Sequence, residues 1–264
     1  ACGFLLNYLK SNNQKTNFAP KIISIEEFIE EVSSLKIIDS TELLFESYKV
    51  YLKTSPNQDK DSFDVYATWA NTLLNDFNEI DRYLIPTKSF FNYLSSIQDI
   101  NYWYVQNEKT ELIENYLKFW NSLSSFYEAL KETLLKNNVG YQGIVYREAA
   151  ENIEHYKNLK KDTHHVFIGF NALNNAEQTI IQELLEDSNS KVYWDVDEHF
   201  FTNESHSASY FSRKYFSEWN YYKKNQPKLI STNFNTEKNF RFIEAQKNIS
   251  QVKYVGELLS KLSD

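Results

Sequence analysis

His164–Glu198 reads HHVFIGFNALNNAEQTIIQELLEDSNSKVYWDVDE, and how it parses decides the fold. His165–Phe170 (HVFIGF) is apolar, β-branched and aromatic, the composition of a strand covered on both faces. Asn174, with Glu177 three residues on, supplies the two halves of a capping box that opens a helix. Ile180, Ile181, Leu184 and Leu185 form that helix's apolar stripe. Lys191–Trp194 is a second β-rich run, and it ends in acidic Asp195, Asp197 and Glu198. Strand, helix and strand at this spacing predict a βαβ unit, with function beyond the carboxyl ends of its strands.

Upstream, Pro20 leads into KIISI (Lys21–Ile25), which reads as another strand, and Ser24 with Glu27 makes a second capping box. The helix that follows carries Phe28, Ile29, Val32 and Leu35 on its apolar side. The next hundred residues are helical throughout. Asp39 with Glu42 caps one helix; Asp64–Tyr83 repeats Tyr66, Ala70, Leu73, Leu74, Phe77 and Ile80 at steps of three and four. Lys88–Ile97, Glu111–Lys136 and Ile144–Leu159 complete a block that should pack as its own bundle. Downstream, Ser205–Tyr222 reads as an aromatic-rich helix and Asn239–Ala245 (NFRFIEA) alternates like a strand. Asn248 with Gln251 caps a last helix. The pattern predicts an α/β domain interrupted by a helical insertion.

Composition narrows the class. With 5 Gly and 4 Pro in 264 residues, an all-β sandwich lacks its turn residues. Lys+Arg 28 against Asp+Glu 36 leaves a net charge of −8, so any nucleic-acid footprint must be a local basic patch. No run of eighteen apolar residues occurs, which argues against a membrane span. Cys2 is the only cysteine, so cysteine-rich zinc sites and internal disulfides are out, and the expected compartment is the cytoplasm. The chain has no Met and opens on ACGFLLNYL inside an amphipathic segment, which predicts an internal piece of a longer protein.

Three clusters carry candidate chemistry. Tyr102, Trp103 and Tyr104 form an aromatic patch able to stack on the bases of single-stranded DNA, although core or interface packing is the ordinary role of such residues. Lys157, Lys160 and Lys161 are the clearest basic group, suited to phosphate contact or simply to a solvated helix end. Asp195, Asp197 and His199 bring carboxylates and an imidazole together, but match no defined metal-ligand spacing; a solvated loop is the plainer reading. His164 and His165 read as structural or surface residues. Neither G-x-x-x-x-G-K-[ST] nor G-x-G-x-x-G is present.

Four stretches, in order, resemble a known family: DVYATWANTLLNDFNEIDRYL (Asp64–Leu84), VFIGFNALNNAEQTIIQELL (Val166–Leu185), VYWDVDEHF (Val192–Phe200) and FIEAQKNISQVKYVGELL (Phe242–Leu259). They are similar to the N-terminal helicase-like half of AddB-type proteins, PD-(D/E)XK nuclease family members related to superfamily 1 helicases of the UvrD and RecB types. The resemblance implies a RecA-like, P-loop NTPase-like parallel sheet interrupted by a helical domain. Residues 1–38 would begin the RecA-like (1A-like) domain, 39–160 would be the 1B-like insertion, 161–240 the remainder, and 241–264 the start of a second RecA-like domain. An active helicase of this kind has a strand followed by Asp-Glu, the Asp holding magnesium through water and the Glu orienting the attacking water. Gly169, Phe170 and Asn171 stand there instead, so the resemblance implies an inactivated helicase-like region.

The leading expectation is therefore a region that binds DNA, single-stranded or at duplex ends, and scaffolds an AddA-like helicase-nuclease subunit. No cofactor is implied within this chain; Mg2+ would serve a nuclease domain outside it. Two rivals remain open: an ATP-dependent DNA motor whose phosphate loop precedes residue 1, and a purely structural protein-interaction domain.

Overall fold

Ser24 and Asn174 both do what their spacing predicts. Ser24 Oγ accepts the Glu27 N–H at 3.1 Å while the Glu27 carboxylate accepts the Ser24 N–H at 2.9 Å, and helix α1 (Ile25–Ser33) follows. Asn174 and Glu177 exchange the same pair of bonds, each at 2.9 Å, at the start of α8 (Asn175–Glu186). Each box satisfies two N–H groups that the first helical turn would otherwise leave orphaned. The computed structural model describes residues 3, 7, 8, 10, 11, 19–55, 60–105, 111–186, 190–229 and 231–263; across 97–105 and 111–121, and at 263, it describes the backbone alone.

Between these helices run β1 (Lys36–Ile37), α2 (Ser40–Thr54), α3 (Phe63–Arg82), α4 (Thr87–Val105), α5 (Glu111–Lys136), β2 (Val139–Gly140), α6 (Gln142–Glu151), α7 (Ile153–Leu159) and β3 (Val166–Ile168). After α8 come β4 (Lys191–Tyr193), α9 (Glu198–Thr202), α10 (Tyr210–Glu218), α11 (Asn220–Lys224) and α12 (Asn248–Ser263). β1 pairs in parallel with β2, and β3 in parallel with β4, Val166 lying opposite Lys191 and Ile168 opposite Tyr193.

The βαβ unit is present as β3–α8–β4, but the RecA-like parallel sheet with a helical insertion is not the fold. The described residues are mainly helical and form two separate two-stranded pairs. Two expected strands explain the difference. Lys21–Ser24 has no strand conformation, and Ile25 is already the first residue of α1, because the capping box fixes the helix start. Asn239–Ala245 is likewise outside any strand, with Phe240 and Phe242 exposed. An extended run becomes a strand only when a neighbour takes up its backbone groups, and no described strand does so for either run. β3 also departs from expectation: Phe167 is buried, but Val166 is 54% and Ile168 57% exposed, so one face is covered rather than two.

The remaining differences concern boundaries. The helix expected over Lys88–Ile97 extends to Val105, and Ile144–Leu159 is two helices, α6 and α7. Ser205–Tyr222 is broken at Trp219, which separates α10 from α11. Asn248 is already inside α12, where the Lys247 carbonyl takes the Gln251 N–H.

The chain divides into two units, Ala1–Asp195 with Lys214–Pro227, and Val196–Arg213 with Lys228–Asp264. The first holds two apolar cores. One packs Phe28, Ile29 and Val32 of α1 against Val145, Tyr146 and Ala149 of α6, Ile180, Ile181 and Leu184 of α8, and Tyr215 and Trp219. The other gathers Val50 and Tyr51 of α2, Tyr66, Leu74 and Phe77 of α3, Phe91 of α4, and Leu130 and Leu134 of α5. Helix α6 serves both, since Ile144 belongs to the second core and Val145 to the first. α6 lies close against α3: the Gly143 N–H donates to Asn78 Oδ1 at 2.7 Å, and a Cβ at Gly143 would fall on the Asn78 carbonyl oxygen.

Asp81, on the inner side of α3, is fully buried and pins this junction. Its carboxylate accepts from Arg147 Nε at 2.6 Å, from the Tyr127 hydroxyl at 2.5 Å and from the Tyr141 hydroxyl. Arg147 donates further to the Ile80 and Ile85 carbonyls. Burial first, then the Asp81 charge, raises the pKa of both tyrosines, so both remain protonated donors.

In the second unit Asp197 caps α9 and holds the 231–234 segment, accepting from the His199 N–H, the Ser231 hydroxyl and the Phe234 N–H. The Arg213 guanidinium donates to the Phe200 and His206 carbonyls, each at 2.7 Å.

Candidate functional site

The lysine cluster is the sequence candidate beside which the fold forms a hollow. Helix α7 ends at Leu159, the Lys160 N–H closing on the Tyr156 carbonyl and the Thr163 N–H on the Lys160 carbonyl. That turn delivers the chain to β3. Because Val166 pairs with Lys191, the residues just before each strand, His165 and Ser190, become neighbours, and the Lys191 N–H donates to the His165 carbonyl at 2.8 Å. The result is a small open hollow lined by Lys157, Lys160, Lys161, Thr163, His165, Leu184 and Ser190.

Its walls differ in character. Lys157 is mostly covered and paired with Glu154 at 3.3 Å and Glu183 at 3.4 Å. Lys160 and Lys161 are exposed, and no ion pair holds either one among the described residues. His165 is half-buried. Its Nε2 lies 3.1 Å from the Tyr156 hydroxyl and its Nδ1 3.5 Å from Ser190 Oγ, and the ring packs beside Phe28 and Phe167. Burial lowers its pKa below the usual imidazole value; the Glu31 carboxylate pulls it up and His164 pushes it down. A neutral imidazole near neutral pH follows. Leu184 contributes the apolar wall. Ammonium groups, hydroxyls and an imidazole around one concavity suit an oxyanion, phosphate above all.

The other candidates fare differently. The βαβ reading places function at the carboxyl ends of the strands, whereas this hollow lies at the amino ends of β3 and β4. At the carboxyl end of β3, Gly169 has φ +83 and its N–H donates to the Tyr193 carbonyl; Phe170 leans on Phe167, and Asn171 is exposed. None of the three offers a carboxylate. Tyr102, Trp103 and Tyr104 belong to α4 by backbone, and their side chains lie outside the described residues.

Asp197 and His199 are engaged locally. Burial pushes the Asp197 pKa up, but hydrogen bonds from Phe234, His199 and Ser231 outweigh it and hold it below the usual carboxylate value. The His199 ring stacks on Phe234 at 4.5 Å and meets Phe200 edge-on at 5.2 Å. Asp195 is exposed. Among the described residues, no group of three or more His, Cys, Asp or Glu side chains is arranged to hold a metal ion. No helix among them is long and apolar enough to cross a membrane.

Sequence reasoning found the three lysines and missed Thr163, His165 and Ser190. Ser190 is 25 residues from His165, and only the parallel register brings them together. No local signal marks it. Comparison with known proteins supplies no identity: no protein-family model matches the chain, and no curated protein does.

Proposed function

We propose that this chain is a DNA-binding and scaffolding region of an AddB-type DNA end-processing protein, whose nuclease chemistry is carried outside it. The observation that supports this most is the hollow at Lys157, Lys160 and Lys161, where two exposed ammonium groups stand beside a third that is paired with Glu154 and Glu183, on a chain of net charge −8. The four stretches of family-like sequence add to it. The RecA-like sheet does not, because the fold lacks one. Where the family's active members carry an acidic pair, Gly169 and Phe170 leave nothing to hold magnesium or orient water, so the region acts by binding.

Fluorescence anisotropy with single-stranded DNA and with blunt duplex ends tests the reading. The chain should bind at low salt, and Lys160→Gln/Lys161→Gln should weaken binding about tenfold. The slope of log K against log salt should fall by about 2, one unit per lost phosphate contact. No binding at low salt, or an unchanged slope in the double variant, refutes it. A second reading, a protein-interaction module, is favoured by the overall acidity and by the exposed apolar side chains of α12, Leu262 at 83% and Val252 at 70% among them.

A further inference from the structure

We infer that the hollow beside α7 receives one phosphate monoester group, the kind carried at a phosphorylated strand end, rather than an internal phosphodiester. The inference rests on the DNA-binding reading for the source of the phosphate; the hollow's preference for a monoester rests on its own geometry.

Three walls surround the space: the exit of α7 with Lys160 and Lys161, the approach to β3 with Thr163 and His165, and the approach to β4 with Ser190. Leu184 of α8 adds an apolar side. An internal diester carries one charge on two free oxygens and continues as chain on both sides, so it suits a groove open at both ends. A monoester near neutral pH carries close to two charges on three free oxygens and continues on one side only. It can enter a hollow walled on three sides and turn its free oxygens toward each wall. Glu154 and Glu183 both engage Lys157, which leaves the exposed ammonium groups of Lys160 and Lys161, with the Asp162 carboxylate next to them in sequence, to meet the phosphate. The Thr163 and Ser190 hydroxyls rotate to donate to whichever oxygens face them. His165, 3.5 Å from Ser190 Oγ, places an imidazole edge on the same side.

Two probes separate the source from the site. Inorganic phosphate alone, titrated while the His165 imidazole resonance is followed by NMR, should shift that resonance saturably. Lys160→Gln/Lys161→Gln, on exposed positions, should abolish the shift, and Thr163→Val should weaken it independently. Oligonucleotides of one sequence, bearing a 5′-phosphate, a 3′-phosphate or only hydroxyl ends, are then compared by anisotropy. A phosphorylated end should bind about tenfold tighter than a hydroxyl end, and the double variant should erase the difference. Equal affinity for all three ends, with DNA binding intact, overturns the monoester inference and leaves the DNA-binding reading standing. A saturable phosphate shift without any DNA binding upholds the monoester site, assigns its ligand to a free phosphate compound and overturns the DNA reading. No phosphate shift and no DNA binding overturns both.

Discussion

Asp81 shows how much one residue can decide and how little of that is visible locally. In NEIDRY it resembles any helix-surface acid, yet its three side-chain partners are 46, 60 and 66 residues away. One signal was available: Ala70, Leu74, Phe77 and Asp81 follow one another at steps of four, three and four, so the carboxylate occupies an apolar-stripe position. Such a charge must be paired, because removing one partner leaves the other buried and uncompensated. Asp81→Asn should therefore cost about 3–5 kcal/mol, since Arg147 keeps its charge and loses its carboxylate. Tyr141→Phe removes only one hydrogen bond and should cost about 1 kcal/mol. Urea denaturation of both variants separates ion pairing from hydrogen bonding. Equal losses would mean that the charge is incidental to the junction. The lysines of the candidate site are the opposite case: 157, 160 and 161 are close in sequence, so the basic cluster is legible, whereas its His165 and Ser190 walls await the register of β3 on β4.

At the scale of elements, what the sequence announces is what local chemistry decides. The boxes at Ser24 and Asn174 close within four residues, and Glu111–Lys136 begins and ends where its periodicity says. Strands fare worse. KIISI and NFRFIEA have strand composition but lack a described neighbour, while β1 and β2, two residues each, have a neighbour but too little length to be read. The approach of α6 to α3 is similarly non-local, and it depends on Gly143 having no side chain. Gly143→Ala would press a methyl group onto the Asn78 backbone and push α6 away from both of the cores it serves. We expect a loss of about 3 kcal/mol, the upper range for overpacking, read as a lower urea midpoint. Gly256→Ala is the control, because a Cβ there meets open space in the middle of α12. If Gly143→Ala proved as mild as Gly256→Ala, the two helices would not be held at the distance described.

For the molecule as a whole, the distribution of burial assigns stability to one unit. Among the described residues the last buried side chain is Tyr222; from Lys223 onward none is buried, and α12 leaves Ile249, Val252, Leu259 and Leu262 mostly exposed. A fully buried Leu, Ile or Val contributes about 2 kcal/mol over an exposed one, so the two cores outweigh anything the 228–264 segment supplies. A chain ending at Pro227 should accordingly melt within about 4 °C of the longer one when followed by the near-ultraviolet signal of its core aromatics. It forfeits the Ser231 and Phe234 bonds to Asp197, which belong to the second unit. A chain ending at Arg213 differs in kind. It also deletes Tyr215, Trp219 and Tyr222, removing the tyrosine hydroxyl that accepts the Leu173 N–H at 2.8 Å and the indole packed against Trp194. Losing a buried aromatic of that size costs about 3–5 kcal/mol, and losing three should abolish cooperative melting. A drop of more than about 10 °C in the Pro227 chain would show instead that the terminal segment supports the main core, and the division of the chain at 227 would have to be redrawn.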